Sequence, residues 1–477
     1  MRPKNSAARE RLESVLLQTG LSSAINLSKK LNISVPTLHR ILHERGNQIV
    51  RLGSTKQARF ALRRSLRGKR ETIPVYSINE QGQGFNVGNL DLIAPQGSLF
   101  NLQKLGWPTD TEHSNGVWDG LPYPLYDMRP QGYLGRIFAK QAAIDYGVPT
   151  DPNCWSDDDI VDILSRKGED TPGNLIIGDD AYQLWLQSIA SPTPTIQTGC
   201  EAQHYPALAN AAAALIGYGS SAGGEFPKFT AKRSLEGSKT PHVIVKFSGG
   251  DDSIPVRRWS DLLICEHLAL QVLKTNTNLQ AATSRIIKGE GRTFLELERF
   301  DRCAEFGRLP LISLAMLNAA FIGSGYGDWP TVLEKLVALG IAPKALVQEV
   351  LILWWFGCLI ANNDMHLGNL SFQCTQHERQ TINLRLSPAY DMLPMLYAPL
   401  SGGEVPLRQF TVPLPKPQQT TAWQIAYEAA ICFWQLVSQH DAISPSFKEI
   451  SKINLQQLMQ FKQLIKTKGK AQSTGPF

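Results

Sequence analysis

The chain has 477 residues, of which 43% are hydrophobic and 19% charged, a composition that excludes fibrous and disordered proteins and allows two or three globular domains. Its seven cysteines form no CxxC pair and no Cys/His cluster, so the sequence predicts neither a disulfide framework nor a zinc site and favours a reducing, cytoplasmic location. The polar N-terminus lacks the apolar core of a signal peptide, and the longest apolar run, residues 350–361, is too short to span a membrane.

Positive charge is concentrated at the start of the chain. Residues 1–70 hold 16 Lys and Arg against three acidic residues, a net charge of +13, whereas the remainder carries −7 within an overall net charge of +6. A basic segment attached to an acidic body is typical of a region that contacts a polyanion, although a solvated basic tail has the same composition.

The same segment has the pattern of three short helices followed by two strands. Apolar residues at helical spacing end at Gly20, a second helix follows a Ser-Ser pair, and a third begins at Pro36 and ends at Gly46. Two short apolar stretches separated by a Gly-Ser turn come next and predict a β-hairpin. We therefore predict a winged helix-turn-helix DNA-binding domain over residues 1–72.

In a winged helix-turn-helix domain that binds DNA, the third helix enters the major groove and the wing lies along the phosphate backbone. On the third helix the expected DNA-facing residues are Thr37, His39, Arg40 and His43. On the wing they are the basic residues Arg51, Lys56, Arg59, Arg63 and Arg64. We expect double-stranded DNA as the partner of this domain, and the alternative is a protein-docking module built on the same fold.

The rest of the chain divides into two further regions by the order of its elements. Short strands with Gly and Pro turns, followed by helices from about residue 136, predict an N-terminal subdomain over residues 73–205. Residues 206–466 form the second region, whose mainly helical part begins at about residue 305. We predict a disordered tail at residues 467–477.

One loop carries the residue types that phosphoryl transfer requires. A buried apolar helix leads into a polar loop with Asp364, His366 and Asn369, and Asp391 follows 22 residues after Asn369. One carboxylate must orient the accepting hydroxyl and take its proton, while an amide oxygen and a second carboxylate hold Mg²⁺ on the nucleotide phosphates. The spacing predicts Asp364 as the catalytic carboxylate and Asn369 and Asp391 as the metal ligands. We expect His366 to brace the loop or to serve as a ligand or base.

The order D-x-H-x-x-N followed by Y-D resembles the HipA family of bacterial toxin kinases and, more distantly, the phosphatidylinositol kinases. Further stretches occur in the order of the same family, namely RKGEDTPGNL, GYGSSAGGEFPK, the strand HVIVKFS and the hinge ERFDR. The resemblance covers roughly residues 75–460. It implies an α+β, two-lobed protein-kinase-like fold with a mixed α/β N-lobe and a mainly helical C-lobe.

The resemblance also implies a nucleotide site for ATP with Mg²⁺. The nucleotide-binding residues that it implies are Gly219, Ser220, Ser221, Ala222, Gly223 and Gly224 of a phosphate loop, together with Lys246, Glu266, Glu298 and Phe300. Glycines let backbone N–H groups approach phosphate oxygens, and a Lys–Glu pair fixes the ammonium near the α and β phosphates. Ser220 aligns with a loop serine that the family autophosphorylates, and Ser221 is an equally near candidate. Phosphate there would add about −2 charge and switch the kinase off.

Two positions depart from the family pattern. Gly368 stands where the family usually has a lysine beside the metal-binding Asn369, and Lys228 lies slightly out of register in the phosphate loop. Neither change removes a carboxylate or a metal ligand, so we still expect activity.

These features predict a Ser/Thr protein kinase of the HipA toxin type that modifies a cellular protein and inhibits growth when overproduced. HipA-like proteins usually act with a separate antitoxin, whereas the fused DNA-binding domain suggests that this chain needs none, and we expect no membrane partner. Two alternatives stay open. In the first, the chain is a DNA-binding transcription regulator whose kinase-like body senses nucleotide. In the second, it is a kinase for a lipid or small molecule.

Overall fold

The first domain consists of three helices and a small sheet, in a computed structural model that describes residues 6–54, 57–216, 226–376 and 382–472. Its elements are α1 (Ser6–Thr19), β1 (Ser22–Ser23), α2 (Ala24–Leu31), α3 (Val35–Glu44), β2 (Ile49–Leu52) and β3 (Arg59–Leu62). The strands pair antiparallel in the order β1-β3-β2. The three helices and the hairpin lie where the sequence pattern predicts them.

Local hydrogen bonds fix the turn between α2 and α3. Ser23 and Ser34 cap the two helices, because their side-chain oxygens accept from the backbone N–H groups of Asn26 and Thr37. Asn32 closes α2 with a left-handed φ of 53°. Buried leucines of all three helices then pack against β3 and form a separate small core.

The end of β3 contacts the next domain through its backbone. The N–H of Arg64 donates to the carbonyl of Leu92 at 2.8 Å, and the N–H of Ala94 donates to the carbonyl of Leu62 at 2.9 Å. Ion pairs across the same junction join Arg63 to Asp91, Arg64 to Asp158, and Arg67 to both Asp159 and Asp162. The first domain is therefore docked on the second by its basic side chains as well as by its backbone.

The second domain is built on a five-stranded antiparallel sheet covered by helices. Its elements are β4 (Ile73–Ile78), β5 (Gly84–Leu92), β6 (Ser98–Leu99), β7 (Val117–Trp118), α4 (Tyr123–Asp127), α5 (Gly132–Tyr146), α6 (Asp157–Lys167), β8 (Leu175–Ile177) and α7 (Asp179–Ala190). The strand order is β7-β6-β5-β4-β8. A capping box at Ser156 and Asp159 starts α6, whose apolar face is buried in the main core.

The third region opens with a four-stranded antiparallel sheet and one long helix. Its elements are α8 (Glu201–Ile216), β9 (Lys228–Lys232), β10 (His242–Phe247), α9 (Ile254–Asn276), β11 (Ser284–Gly289), β12 (Arg292–Glu298), β13 (Arg302–Cys303) and β14 (Gly307–Arg308). The strand order is β11-β12-β10-β9. The helix α9 packs on this sheet, and most of its residues from 261 to 273 are buried.

The remainder of the chain is mainly helical. Its elements are β15 (Leu311–Ser313), α10 (Leu314–Phe321), α11 (Trp329–Ala338), α12 (Leu346–Leu359), β16 (Ser371–Gln376), β17 (Ile382–Leu386), α13 (Thr420–Gln439) and α14 (Pro445–Gln472). The strands form a small antiparallel sheet in the order β15-β16-β17. Fully buried Phe356, Phe433 and Trp434 join α12 to α13, and the Trp434 indole donates to the carbonyl of Leu359 at 3.1 Å.

The last helix, α14, continues to Gln472, and residues 473–477 lie outside the described part, so the tail expected over residues 467–477 stays a prediction. Within the four described ranges, no helix combines the length and the apolar character needed to cross a membrane.

Candidate active site

A lysine and two carboxylates form a buried cluster between the four-stranded sheet and the loop that precedes α13. Lys246 on β10 is only 3% exposed, and its Nζ lies 2.7 Å from each carboxylate oxygen of Glu266 on α9. The same ammonium contacts Asp391, whose backbone N–H donates to Glu266 at 3.2 Å. The structure thus brings together the predicted nucleotide lysine, its predicted partner and one predicted metal ligand.

Burial and charge together set the ionisation of this cluster. Burial alone would lower the pKa of Lys246, but the carboxylates of Asp391 and Glu266 raise it above its ordinary value. Burial raises the pKa of Glu266. For Asp391 burial acts in the same upward direction, yet Lys246 and then Lys228 hold its pKa below the usual range. Lys246 is therefore charged at neutral pH, and Asp391 is a carboxylate that can hold a metal ion.

The loop after α12 carries the other predicted catalytic residues. The side chain of Asn362 is buried and joins the two halves of the site, since its Oδ1 accepts from the N–H of Asp364 and its Nδ2 donates to the carbonyl of Asp391. Asn369 donates its Nδ2 to the carbonyl of Asp364 at 2.9 Å, so this bond uses the amide nitrogen and not the oxygen that a metal would need. The residue Asp364 is exposed at the surface of the loop.

The contacts of His366 are those of a loop brace. Its Nδ1 accepts from the N–H of Gly368 at 3.1 Å, and its carbonyl accepts from the indole N–H of Trp329 at 3.0 Å. The ring also helps to lower the pKa of Asp391 through its charge. Of the roles expected for His366, bracing is the one whose contacts the structure contains.

A cavity of about 910 Å³ contains the charged cluster. Lys246 and Asp391 line one part of it, and Phe300 and Tyr390 form an aromatic wall, their ring centroids 5.4 Å apart. Tyr390 is held in place because its hydroxyl donates to the carbonyl of Gly368 at 2.8 Å. A cavity of this size, mostly apolar and with a few convergent charges, is typical of a small-molecule site.

The carboxylate of Glu298, a predicted nucleotide-binding residue, is already held in an ion pair. It lies 2.8 Å from the guanidinium of Arg233, which also contacts Glu296 at 2.7 Å. All three side chains are nearly fully buried. The carboxylate of Glu298 is therefore engaged by Arg233, and a nucleotide-binding role of Glu298 stays a prediction.

A second charged network joins the hinge after β12 to the second domain. Arg299 lies 3.0 Å from Asp170 and 3.0 Å from Asp301, and Arg302 lies 2.8 Å and 2.6 Å from the same two carboxylates. Burial would raise the pKa of Asp301, but the two guanidinium groups hold it well below its usual range. The hinge and the segment after α6 are thus fixed to each other at the edge of the cavity.

Some predicted site residues lie outside the described part of the chain. They are Gly219, Ser220, Ser221, Ala222, Gly223 and Gly224 of the phosphate loop, and Lys56 of the wing. Their nucleotide-binding, autophosphorylation and DNA-binding roles stay predictions.

Lys228, which the sequence placed slightly out of register in the phosphate loop, lies on β9 and lines the cavity together with Asp127, which the sequence did not assign. Lys228 pairs in register with Lys246 across β9 and β10, which explains why its charge acts on Asp391. Asp127 at the end of α4 accepts from both the N–H and the hydroxyl of Ser313 at 2.7 Å. A strand-position argument could have found Lys228, whereas the contact of Asp127 spans 186 positions and leaves no local signal.

The predicted DNA-facing residues separate into two groups. His39, Arg40 and His43 on α3 and Arg51 and Arg59 on the hairpin are exposed, and Thr37 is half-buried beside the cap of α3. Arg63 and Arg64 do not face outward as predicted. Arg63 is 8% exposed and pairs with Asp91, and Arg64 pairs with Asp158, because both lie where β3 meets the second domain.

Comparisons with known proteins cover most of the chain. Residues 69–186 match a family model described as the middle domain of YjjJ-like toxins, and residues 220–452 match one described as the HipA-like C-terminal domain. Toxin YjjJ of Escherichia coli (strain K12) is 34% identical over 455 residues, which are 95% of this chain and 98% of that protein. The chain belongs to the HipA-like toxin family. The family resemblance predicted from the ordered motifs is therefore confirmed.

Two solved structures resemble this chain more loosely. HipA from the Shewanella oneidensis MR-1 complex of HipA, HipB and operator DNA is 15% identical, covers 83% of this chain and 95% of its own, and has a TM-score of 0.43. The Helicobacter pylori proinflammatory kinase CtkA is 12% identical, covers 50% of this chain and 92% of its own, and has a TM-score of 0.35. At these scores neither likeness carries an argument about the function of this toxin.

Proposed function

We propose that this HipA-like toxin is an ATP-dependent Ser/Thr protein kinase with a two-lobed, protein-kinase-like body. The observation that carries the proposal is the contact of Lys246 with both Glu266 and Asp391 inside the cavity. Kinases use such a Lys–Glu pair to hold the nucleotide phosphates and such an aspartate to hold the metal. The family membership and the polar loop with Asp364 and Asn369 support the same activity.

The donor set fits a magnesium ion bound together with a nucleotide. Asp391 and Asn369 would hold it with oxygen ligands, and the ion would neutralise charge on the transferred phosphoryl group. Lys246 would hold the α and β phosphates, while Asp364 would orient the acceptor hydroxyl and take its proton. The hydroxyl oxygen then forms a bond to the γ-phosphorus as the bond to the β,γ-bridging oxygen breaks, so that phosphoprotein and ADP are the products.

The test is transfer of ³²P from [γ-³²P]ATP, measured with the intact chain on a lysate depleted of nucleotide, together with growth after overproduction. Asp364→Asn and Asp391→Asn should each lower transfer at least about 100-fold and relieve growth inhibition, because each removes a carboxylate that acts in the transition state. The control is Asp441→Asn, an exposed aspartate outside the cavity, which should behave as wild type. Equal transfer by all four proteins would refute the kinase proposal.

We further propose that the first domain is a winged helix-turn-helix that binds double-stranded DNA. The support is the run of exposed basic and polar residues on α3 and on the β2–β3 hairpin. With a DNA-binding domain in the same chain, the toxin would reach DNA without a separate antitoxin. We propose a cellular protein Ser or Thr as the acceptor and growth inhibition as the outcome.

A further inference from the structure

The second domain contributes a wall of the cavity as well as a scaffold beside it. The turn between α4 and α5 places Asp127, Arg129 and Pro130 on the cavity lining together with Lys246, Gly368 and Asp391. This wall belongs to the part of the chain matched by the YjjJ-like middle domain, and not to the HipA-like C-terminal domain that holds the Lys246 cluster. A side chain on this turn therefore lines the same cavity as Lys246 and Asp391.

The turn is held rigidly. Asp127 is fixed by two hydrogen bonds of 2.7 Å from Ser313, and the N–H of Arg129 donates to the carbonyl of Tyr126 at 3.1 Å. Gly135 at the start of α5 lies so close to Pro130 that a Cβ at this position would sit 2.5 Å from the Pro130 backbone. The tip of the turn, which carries Arg129, is therefore positioned by contacts on both sides.

Arg129 is a cation of the cavity lining that pairs with no carboxylate in the described part of the chain. Its Nε is buried and contacts no acceptor there, and its guanidinium forms no ion pair with any described carboxylate. The nearest carboxylate in sequence, Asp127, is occupied by Ser313. Lys246 and Arg299 line the same cavity, and both have carboxylate partners.

An unpaired, partly buried guanidinium destabilises the folded chain unless an anion pairs with it. A buried donor without an acceptor destabilises a fold, and the planar fork of arginine matches the oxygens of a phosphate. Lys228 and Lys246 line the same cavity, so a phosphate chain bound there would meet further positive charge.

We propose that Arg129 of the second domain binds the phosphate chain of the nucleotide in this cavity. The proposal rests on the proposed kinase function and assigns the second domain a direct part in substrate binding. In the absence of nucleotide the guanidinium lacks an anion, and binding of nucleotide supplies one. Arg129 is thus a binding residue supplied by a domain other than the one that holds Lys246, Glu266 and Asp391.

The test compares the affinities of ATP and adenosine for wild type and Arg129→Gln, measured by calorimetric titration of the full chain. We expect ATP to bind at least about tenfold more weakly to the variant and adenosine to bind equally well, because only ATP carries the phosphates that a charged donor contacts. Arg129→Lys keeps the charge and should retain part of the ATP affinity. Arg257→Gln is the matched control, since Arg257 is an exposed arginine outside the cavity and should leave both affinities unchanged.

A second readout separates a binding role from a structural one. Without nucleotide, Arg129→Gln should melt at the same temperature as wild type or higher, because it removes a cation without a partner, and ATP should raise its melting temperature less. An ATP affinity within twofold of wild type, or a clear fall in the melting temperature without nucleotide, would overturn the proposal. If wild type itself does not bind ATP, the kinase proposal fails instead, and the two failures are distinguished.

Discussion

The cavity around Lys246 and the surface of the first domain both depend on basic residues, but they use them in opposite ways. In the cavity, Lys246 is 3% exposed and held by two carboxylates, so its position is fixed before any ligand arrives. On the first domain, Arg40 and Arg59 are exposed, while Arg63 and Arg64 are paired with aspartates of the second domain. A cluster of charge in a sequence therefore does not distinguish a ligand site from an interdomain contact, whereas ordered motifs that converge on one cavity do.

The largest loss of stability should come from removing the charge of Lys246 from the buried cluster. Lys246→Met leaves Glu266 buried without its counter-ion, so we expect a loss of about 3 kcal/mol in the free energy of unfolding. The double variant Lys246→Met with Glu266→Gln should recover much of that loss, because the fully buried carboxylate is then replaced by a neutral amide and only the more exposed Asp391 keeps its charge, yet neither variant should transfer phosphate. Urea unfolding of the three proteins measures the difference. Equal stability of the single and double variants would mean that the cluster is not a tight, buried pair.

A histidine near the hinge should cause a somewhat smaller, pH-dependent change in the free energy of unfolding. Burial lowers the pKa of His242 to about 4, and its Nε2 lies 2.7 Å from the carbonyl of Glu305. In the unfolded chain this histidine has an ordinary pKa of about 6.5. Between pH 6.5 and pH 4 the unfolded chain therefore binds a proton at His242, whereas the folded chain does not. The stability contribution is therefore complete above pH 6.5 and is lost as the pH falls toward 4.

We expect the stability contribution of His242 to the free energy of unfolding to fall by about 2 kcal/mol between pH 7 and pH 5. Comparing the free energy of unfolding of wild type and His242→Gln at both pH values isolates it from other titrating groups, and the variant should show the smaller decrease. The same decrease in both proteins would show that His242 titrates normally in the folded chain.

The smallest effect is expected on DNA binding by the surface of the first domain. It tests directly the contrast between exposed arginines and arginines paired with the second domain. If Arg59 contacts a phosphate, Arg59→Gln should reduce the magnitude of the slope of log K against log salt by about 1 for a duplex of random sequence, because one fewer counterion is released. Arg63→Gln should leave that slope unchanged, since its side chain is buried against Asp91. Fluorescence anisotropy over a range of salt concentrations measures both slopes, and a larger change for Arg63 than for Arg59 would reverse the assignment of the two residues.

The sequence predicted the elements of the first domain and the membership of the family because both depend on local patterns. Helix caps such as Ser23 and Ser34 lie beside the turns that they close, and the D-x-H-x-x-N loop is contiguous. The family resemblance implied Lys246 and Glu266, and the structure brings the two side chains into contact.

The errors and omissions all involve contacts between distant parts of the chain. Arg63 was assigned to DNA because its partner Asp91 lies 28 positions away in another domain. Asp127 and Arg129 carried no signal, because the cavity that they line forms only when the second domain docks on the third region.

The central claim is that the cavity holds a nucleotide together with a metal ion on Asp391, and calorimetric titration of ATP with and without Mg²⁺ tests it most directly. We expect wild type to bind one ATP, and Mg²⁺ to strengthen that binding. In Asp391→Asn the strengthening by Mg²⁺ should disappear, while binding of metal-free ATP should stay equal or become tighter because a like charge has been removed. The same gain from Mg²⁺ in wild type and in Asp391→Asn, or no ATP binding at all, would contradict the account.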